Sequence, residues 1–578
     1  MMQRNWNVKK RKDSAGSEFK NNPPSYSESI ILQLLASRGI VGNDEVEKFF
    51  KFDYDADIGN PFLFSQMEKA VNRIINAKEK NEKIAIFGDY DADGVTASAL
   101  MFETFSQLGF TRVITYIPDR QIEGYGMNRE ALNFLKKEKV NLIVTVDCGI
   151  TNKEETVLAQ KLGIDIIITD HHHVPEKLPE AVAIINPQME DSGYAFKNLA
   201  GVGVAFKLAQ ALYQKMDPEN IEKLKWSLDL VAIGTVGDCV PLLSENRVLV
   251  KYGLVVLSKT RRVGLLEMFK VGRIKIGEND FPDTRKIAFQ VAPRINAAGR
   301  MDHANFAYNL ILEKNRVKAC DLALEIEDKN QKRQKITSEI VREVRILAEG
   351  PFKDKELIFA ENEHWPIGVL GLVAGKITEE FHKPAAVFQK QPAEFVGSLR
   401  SIPQINIIEK IEECAELLKK FGGHSQAAGV TLKQENFHLF CEKFSRLIAQ
   451  ELGGKKIFPA VEIDLEITSR DINWELLMEI KKMEPFGKEN EEPVFLVRNL
   501  KIQEIKIVGN GNKHLKISIM AEDSPKVFDA IGFGMGEKFF RLIKSGDKVD
   551  LVVNLKEDEW NGNRKIQLHI IDLRKSES

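Results

Sequence analysis

The sequence predicts an α/β protein: a parallel-sheet domain, joined by a long helix to a second α/β lobe and followed by a small β-barrel. Three observations carry this expectation. Short apolar runs at 84–87, 142–146 and 164–169 each end on acidic or histidine residues. Helix-like stretches at 95–108, 128–138 and 153–162 separate them, which sets the order strand, helix, strand. From about residue 457 the texture changes to short alternating segments split by turn residues.

Residues 1–60 read as a leader segment, because Lys9-Lys10-Arg11-Lys12 and Asn21-Asn22-Pro23-Pro24 look like a solvated tail. Residues 61–301 are the first domain. Its second and third apolar runs are β-branched, as strands buried on both faces of a parallel sheet should be. The strands' carboxyl ends then share one edge, where ligands of open α/β sheets bind. Residues 302–350 are expected to be a connecting helix, since 302–349 contains neither Gly nor Pro. Ile336, Ile340, Val344 and Leu347 recur there at helical spacing beside a polar stretch at 325–335, a pattern suited to bridging two lobes. Residues 351–455 resume strand and helix signals and reach a glycine cluster. Residues 456–578 hold five or so short strands, with turns at Gly509-Asn510-Gly511 and Asn561-Gly562-Asn563, which fits a small barrel such as an OB-fold and equally an unspecified β-domain.

At 578 residues, 43% of them hydrophobic, the chain can fill several cores, so global disorder is excluded. A net charge of −2 argues against indiscriminate polyanion binding, and any nucleic-acid contact must rest on local basic patches. No apolar stretch is long enough for a membrane span, and the N-terminal residues do not read as a hydrophobic signal region. Five cysteines without a CxxC pair suit a reducing compartment, so the expected location is cytoplasmic. Cys148 and Cys239 read as small buried residues.

Asp89, Asp91 and Asp93 alternate through the turn Gly88-Asp89-Tyr90-Asp91-Ala92-Asp93-Gly94. Asp147 and the run Asp170-His171-His172-His173 end the next two strands, so all converge on one rim. Two carboxylates 4 Å apart repel by about 4 kcal/mol at an effective dielectric of about 20, so such a rim needs cations. A calcium loop is disfavoured, because the glutamate it requires at the twelfth position is replaced by Leu100 or Phe102. Oxygen ligands with an imidazole suit Mn²⁺ or Mg²⁺, and two divalent ions acting on phosphate are the expected cofactors. Asp238 in Gly237-Asp238-Cys239-Val240-Pro241 is a further candidate ligand.

These motifs, in this order, resemble the signature of the DHH phosphoesterases. Phe196-Lys-Asn-Leu-Ala-Gly-Val-Gly-Val-Ala-Phe-Lys207, Pro293-Arg-Ile-Asn-Ala-Ala-Gly-Arg300 and Gly422-Gly-His-Ser-Gln-Ala-Ala-Gly429 are similar to the members that degrade single-stranded DNA. The resemblance runs from about residue 61 to the C-terminus. It implies a DHH domain, a connecting helix, a DHHA1 domain and an OB-fold. It also implies metal ligands at Asp89, Asp91, Asp93, Asp147, His171 and Asp238, with Asp147 between the ions and His172 on the scissile phosphate. For substrate it implies Arg294, Asn296, Arg300, Arg400, Gly422, Gly423 and His424. The implied activity is a metal-dependent exonuclease on single-stranded DNA, working processively from the 5′ end to 5′-mononucleotides in DNA repair and recombination. The implied partners are a single-stranded-DNA-binding protein and a helicase, and the protein is expected to be a monomer away from membranes.

The chain departs from the pattern in places. Trp365-Pro366-Ile367-Gly368-Val369 stands where relatives carry a histidine after the tryptophan, with His364 displaced before it, and Leu399 replaces a small residue before Arg400. Phe87 stands where small-substrate members carry a ligand histidine. Phe495, Phe533, Trp560, Lys513 and Arg564 are candidates for stacking bases and tracking phosphates in the last domain. The alternatives are a small-substrate phosphodiesterase acting on short oligonucleotides or cyclic dinucleotides, and a catalytically dead binding scaffold.

Overall fold

The computed structural model describes residues 4–9, 26–120, 122–455, 457–509, 511–521, 526–560 and 563–576. The chain divides into two compact units, one of residues 54–457 and the other of residues 1–53 together with 458–578.

In the larger unit five strands run parallel in the order Val113–Tyr116, Ile84–Gly88, Leu142–Val146, Asp165–Thr169, Ala183–Ile185. The three expected from the sequence are the middle ones. The outer two, of four and three residues, are too short to leave a pattern in the sequence. Helices Ala92–Gln107, Arg129–Lys137 and Lys153–Lys161 make the crossovers. One face of the sheet packs on Val95, Leu100, Phe105, Val204 and Leu208, the other on Leu132, Leu135 and Ala159. Cover on both sides explains why every residue of the central strand Leu142–Val146 is apolar or a buried threonine.

The expected connecting helix is two helices in tandem, Asn305–Leu312 and the 34-residue Arg316–Glu349, the latter about 51 Å long. Asn315 restarts the helix by accepting the N–H groups of Val317 and Lys318 on its side chain. Ala319, Ala323 and Ile326 at one end join the first domain's core, while Ile340, Val341, Val344 and Ala348 at the other join the second lobe's. That lobe is a five-stranded mixed sheet in the order Lys420–His424, Ala427–Lys433, Glu394–Arg400, Ala385–Lys390, Ile358–Asn362. Helices Ile367–Phe381 and Phe437–Leu452 complete it.

In the smaller unit the strands Phe495–Val508, His514–Ala521, Val527–Gly532, Asn563–Lys575 and Lys548–Trp560 follow one another, and the last pairs back onto the first. This closes the predicted barrel and leaves it no long open edge. The described residues among 1–60 do not form a separate leader. Strand Asn5–Val8 pairs with Ala460–Ile463, and helix Tyr26–Ser37 buries Ile30, Ile31, Leu34 and Leu35 against Leu476, Leu477 and Ile480. The physical reason is the apolar stripe on that helix, which needs cover. Residues 10–12 and 21–24, read as the solvated tail, lie outside the described residues. Among the described residues no helix is long and apolar enough to cross a membrane.

A truncation test follows. Residues 54–457 alone should purify as a folded protein with one cooperative melting transition. Deleting 458–578 while keeping the N-terminus should aggregate, because it uncovers four apolar side chains each stabilised by about 1.5–3 kcal/mol on burial. Equal solubility of the two truncations would refute the assignment of 26–53 to the barrel unit.

Candidate metal centre

Each carboxylate at the strand rim is held by backbone that the fold places there. Asp91 caps the helix Ala92–Gln107, its Oδ1 accepting the N–H groups of Asp93 and Gly94 at 2.9 and 3.1 Å. Asp93 is buried under the N-terminus of helix Gly201–Met216, where Gly201 N–H and Val202 N–H donate to its two oxygens at 2.7 and 2.8 Å. Only glycine fits at 201, since a Cβ there would lie 2.4 Å from Asp147 Oδ1. Asp147 ends its strand in a left-handed conformation at φ 62°, which turns its carboxylate into the cluster. Asp238 follows the helix Leu228–Gly237. Cys239 next to it is exposed rather than buried as expected, since its own left-handed φ of 58° puts it on the rim.

His171 Nε2 lies 3.1 Å from Asp147 Oδ1, 3.7 Å from Asp238 Oδ2 and 3.9 Å from Asp93 Oδ2. His172 points its Nδ1 at Asp170 Oδ1 (2.8 Å) and at the Tyr125 hydroxyl (3.0 Å). Asp170 also accepts the N–H groups of Ile150, His171 and His172, so it shapes the turn and orients His172 rather than His171. Phe87 is buried and stacked on Tyr116, which removes it from the ligand set.

The electrostatics describe a site short of positive charge. Burial, then Asp91, raises the Asp89 and Asp93 carboxyls, the latter to about 7. Burial, then Asp93 and its neighbours, raises Asp147 well above the carboxylate range. Burial and the charge of His172 lower His171 to about 4, so its ring is neutral and can offer a lone pair. His172 goes the other way, to about 9: burial opposes its charge, but the hydrogen bond and charge of Asp170 outweigh it.

These residues fit divalent metal ions. Among the described residues Asp89 Oδ1, Asp147 Oδ1 and His171 Nε2 are buried without a hydrogen-bond partner. Three sets, Asp89-Asp91-Asp147, Asp93-His171-Asp238 and Asp147-His171-His172, each bring their ligand atoms within 4.8 Å of one another. Oxygen and imidazole donors without thiolate suit Mn²⁺ or Mg²⁺.

The expected substrate residues separate. Arg300 donates to Gly368 O at 3.1 Å and feels the charges of Arg120, Arg333, Asp91 and Arg400; burial first, then the other arginines, lowers it to about 9. Arg400 is half-buried, and burial, then Arg120, lowers it too. Helix Ile367–Phe381 lies so close over it that a Cβ at Gly371 would be 2.9 Å from its guanidinium. Arg294 is otherwise engaged: it pairs with Glu327 at 2.7 Å and donates to the Gln290 and Gly272 carbonyls. Asn296 gives its side-chain oxygen to Ala92 N–H at 2.7 Å and so buttresses the acidic loop. Arg294 and the Asn296 oxygen are thus both engaged within the protein. Gly422, Gly423 and His424 lie on the exposed edge strand of the second lobe. Cross-strand register puts His424, Ala427 and Arg400 in one row and, two residues along on the same face, Gly422, Gly429 and Ser398, so the histidine and the arginine share a face on either side of Ala427 beside a glycine floor. His364 is exposed, and Trp365 is buried with its Nε1 on Glu343.

Sequence reasoning missed Arg120 and Tyr125. Both lie on the segment after strand Val113–Tyr116; Arg120 covers the Tyr90 ring at 4.7 Å, and Tyr125 reaches the Asp147 carbonyl at 3.3 Å. The signal available was the rim rule itself, applied to a strand too short to recognise. The amides of Gly201 and Val202 lay inside a motif whose role was not visible either. In the barrel unit Phe495 is core and Phe533 is 55% exposed between the rings of His514 and His569. Arg564 pairs with Glu557, and the side chain of Trp560 lies outside the described residues.

Comparison with known proteins gives a consistent picture. The family profile described as the DHH family, N-terminal domain, matches residues 83–235; the DHHA1 domain matches 354–450; and the RecJ OB domain matches 463–572. The chain is 38% identical over 550 residues to the single-stranded-DNA-specific exonuclease RecJ of Bacillus subtilis, covering 95% of this chain and 68% of that protein. It is 31% identical over 577 residues to the Haemophilus influenzae protein of the same name, covering 97% and 98%. Among solved structures, Thermus thermophilus RecJ in complex with Mn²⁺ superposes with a TM-score of 0.82 at 26% identity, covering 99% of this chain and 80% of that one.

Proposed function

Because the chain belongs to the RecJ family, we propose that its acidic cluster and the arginines beside it remove nucleotides from the 5′ end of single-stranded DNA. The enzyme is a single-strand-specific DNA exonuclease that uses Mn²⁺ or Mg²⁺. The observation that carries the site assignment is the juxtaposition of buried, unsatisfied carboxylates with guanidinium groups that repel one another. The first half needs cations and the second an anion, so a metal-bound phosphate satisfies both.

Asp89, Asp91 and Asp147 would hold one ion and Asp93, His171 and Asp238 the other, with Asp147 near both. Bound divalent ions acidify water and neutralise charge developing on a phosphodiester. The protein's own groups do the rest. The Gly201 and Val202 amides fix Asp93, and Asp170 with Tyr125 fixes His172, which stays protonated and presents a donor to a phosphate oxygen. Arg120, Arg300 and Arg400 hold the phosphate and draw it toward the acidic rim, and the glycine floor beside His424 admits the strand backbone without side-chain clash. The products are 5′-mononucleotides, released processively in repair and recombination. A monomer in the cytoplasm, working beside a single-stranded-DNA-binding protein and a helicase, is the setting the family resemblance supports.

The test is a time course on circular single strands, linear single strands labelled at either end, and blunt duplexes. Linear strands should be shortened from the 5′ end. Circles should survive, and duplex should be slow, since each base-pair step costs about 1.4 kcal/mol to open. Cutting of the circle, or release of the 3′ label first, would refute the reading. The two arginines of the shared motif should separate as well. Arg294→Gln should cost about 2–3 kcal/mol of stability by stranding Glu327, with KM for the strand little changed. Arg400→Gln should raise KM about tenfold or more, with stability intact.

A further inference from the structure

The long helix Arg316–Glu349 carries polar groups that nothing in this chemistry uses. Asn330, Arg333 and Thr337 follow at spacings of three and four and so share one stripe. Asn330 and Thr337 are each 1% exposed. Among the described residues Asn330 Nδ2, Arg333 Nε and Thr337 Oγ1 have no hydrogen-bond partner. Arg333 donates only to a neutral atom, Asn330 Oδ1, at 2.8 Å. Burial, then the charge of Arg294, depresses it, with no carboxylate acting in the other direction. A half-buried cation with a free Nε–H, beside two buried polar side chains that each keep an unsatisfied atom, is costly and does not arise from packing alone.

Their place in the fold gives them an object. Helix Ala292–Met301 lies along the long helix, tied by Arg294–Glu327 at 2.7 Å and Lys329–Asp302 at 2.8 Å. Arg300, on that helix, senses Arg333 together with Arg120 and Arg400. Four guanidinium groups therefore gather where the first domain, the long helix and the second lobe meet. The orphan atoms can all donate hydrogen bonds, which is the chemistry that phosphate oxygens accept.

We propose that Arg333, flanked by Asn330 and Thr337, is a phosphate-binding residue supplied by the connecting helix, extending the anion site of Arg120, Arg300 and Arg400. This rests on the exonuclease reading of that cluster. It makes the helix a part of the substrate site as well as a tether. The ligand is a phosphate group, carried either by the end of the strand or by the released mononucleotide.

The experiment uses the full-length enzyme with its metal and the variants Arg333→Gln, Arg333→Lys and Arg400→Gln. Inhibition of strand cleavage by a deoxynucleoside monophosphate and by inorganic phosphate is measured, along with KM for 5′-phosphorylated and 5′-hydroxyl strands and the melting temperature without phosphate. Arg333→Gln should weaken inhibition, or raise KM for the phosphorylated strand alone, by about tenfold or more. The melting temperature should hold or rise, because a partly desolvated cation with no carboxylate beside it has been removed. Lysine should restore part of the effect. A change in inhibition alone identifies the product phosphate as the ligand, and a change in KM alone the strand's. If neither changes while Arg400→Gln alters either, the helix proposal falls and the exonuclease reading stands. If Arg400→Gln is also silent, the phosphate reading of the whole cluster falls.

Discussion

Asp147→Asn lowers strand cleavage by about 10³-fold or more and leaves the fold intact. Asp147 belongs to two of the three candidate ligand sets, so its loss disables both halves of the centre. Asparagine is the informative replacement, because it tolerates the left-handed φ of 62° that alanine would occupy at a cost of about 1–2 kcal/mol. The buried carboxylate is held well above its usual range by burial and by Asp93, Asp91 and Asp89, so removing its charge relieves strain in the metal-free protein. Circular dichroism and melting without metal should show an equal or more stable protein, and isothermal titration with Mn²⁺ should show weakened binding. Unchanged turnover would refute the assignment of the site, and a collapsed fold would show that the residue is structural.

The metal-free enzyme loses stability as pH rises from about 5 to 9, and Mg²⁺ or Mn²⁺ abolishes that loss. Asp93 titrates near 7 when folded, against about 3.9 for a free aspartate, so between those values the folded state binds the extra proton and stability falls as pH increases. Asp89 and Asp147 are raised as well and act in the same direction. His171, lowered to about 4, opposes them up to about pH 6.5, one group against three. Above that, His172 at about 9 adds to the decline, because its stabilising proton is lost as pH passes through that value. Bound cations replace the protons, and mass action then raises the melting temperature with metal concentration. Melting curves at pH 5, 7 and 9 with chelator or with metal test this. A chelated protein equally stable at all three would remove the basis for the electrostatic picture, and full activity after chelation would remove the metal.

The catalytic rim was legible because local rules compose. Alternating aspartates in a turn after a strand, a lone aspartate after the next and a histidine run after a third can meet only if the strands are parallel, and the β-branched runs already required that. The β character of the last domain was legible from its period-two segments and glycine turns, but its closure into a barrel came from the family resemblance and from the pairing of the last strand onto the first. The helix Tyr26–Ser37 was not read: its stripe of Ile30, Ile31, Leu34 and Leu35 is plain, but the partner that covers it starts more than four hundred residues later.

What the chain settled by itself was the oxygen-and-imidazole chemistry of the rim, the parallel course of three of its strands and the order of the α/β, helical and barrel segments. What tertiary structure decided was the use of each arginine and amide around that rim. Arg294 and Arg300 stand six residues apart in one motif, yet Glu327 on the long helix captures the first, while Gly368 of the second lobe receives the second beside Arg120 and Arg400. Asn296 could as well have faced substrate, but its oxygen takes the Ala92 amide. These choices depend on contacts between segments far apart in sequence, where a guanidinium's partner is set by packing and solvent exclusion and no local pattern records it.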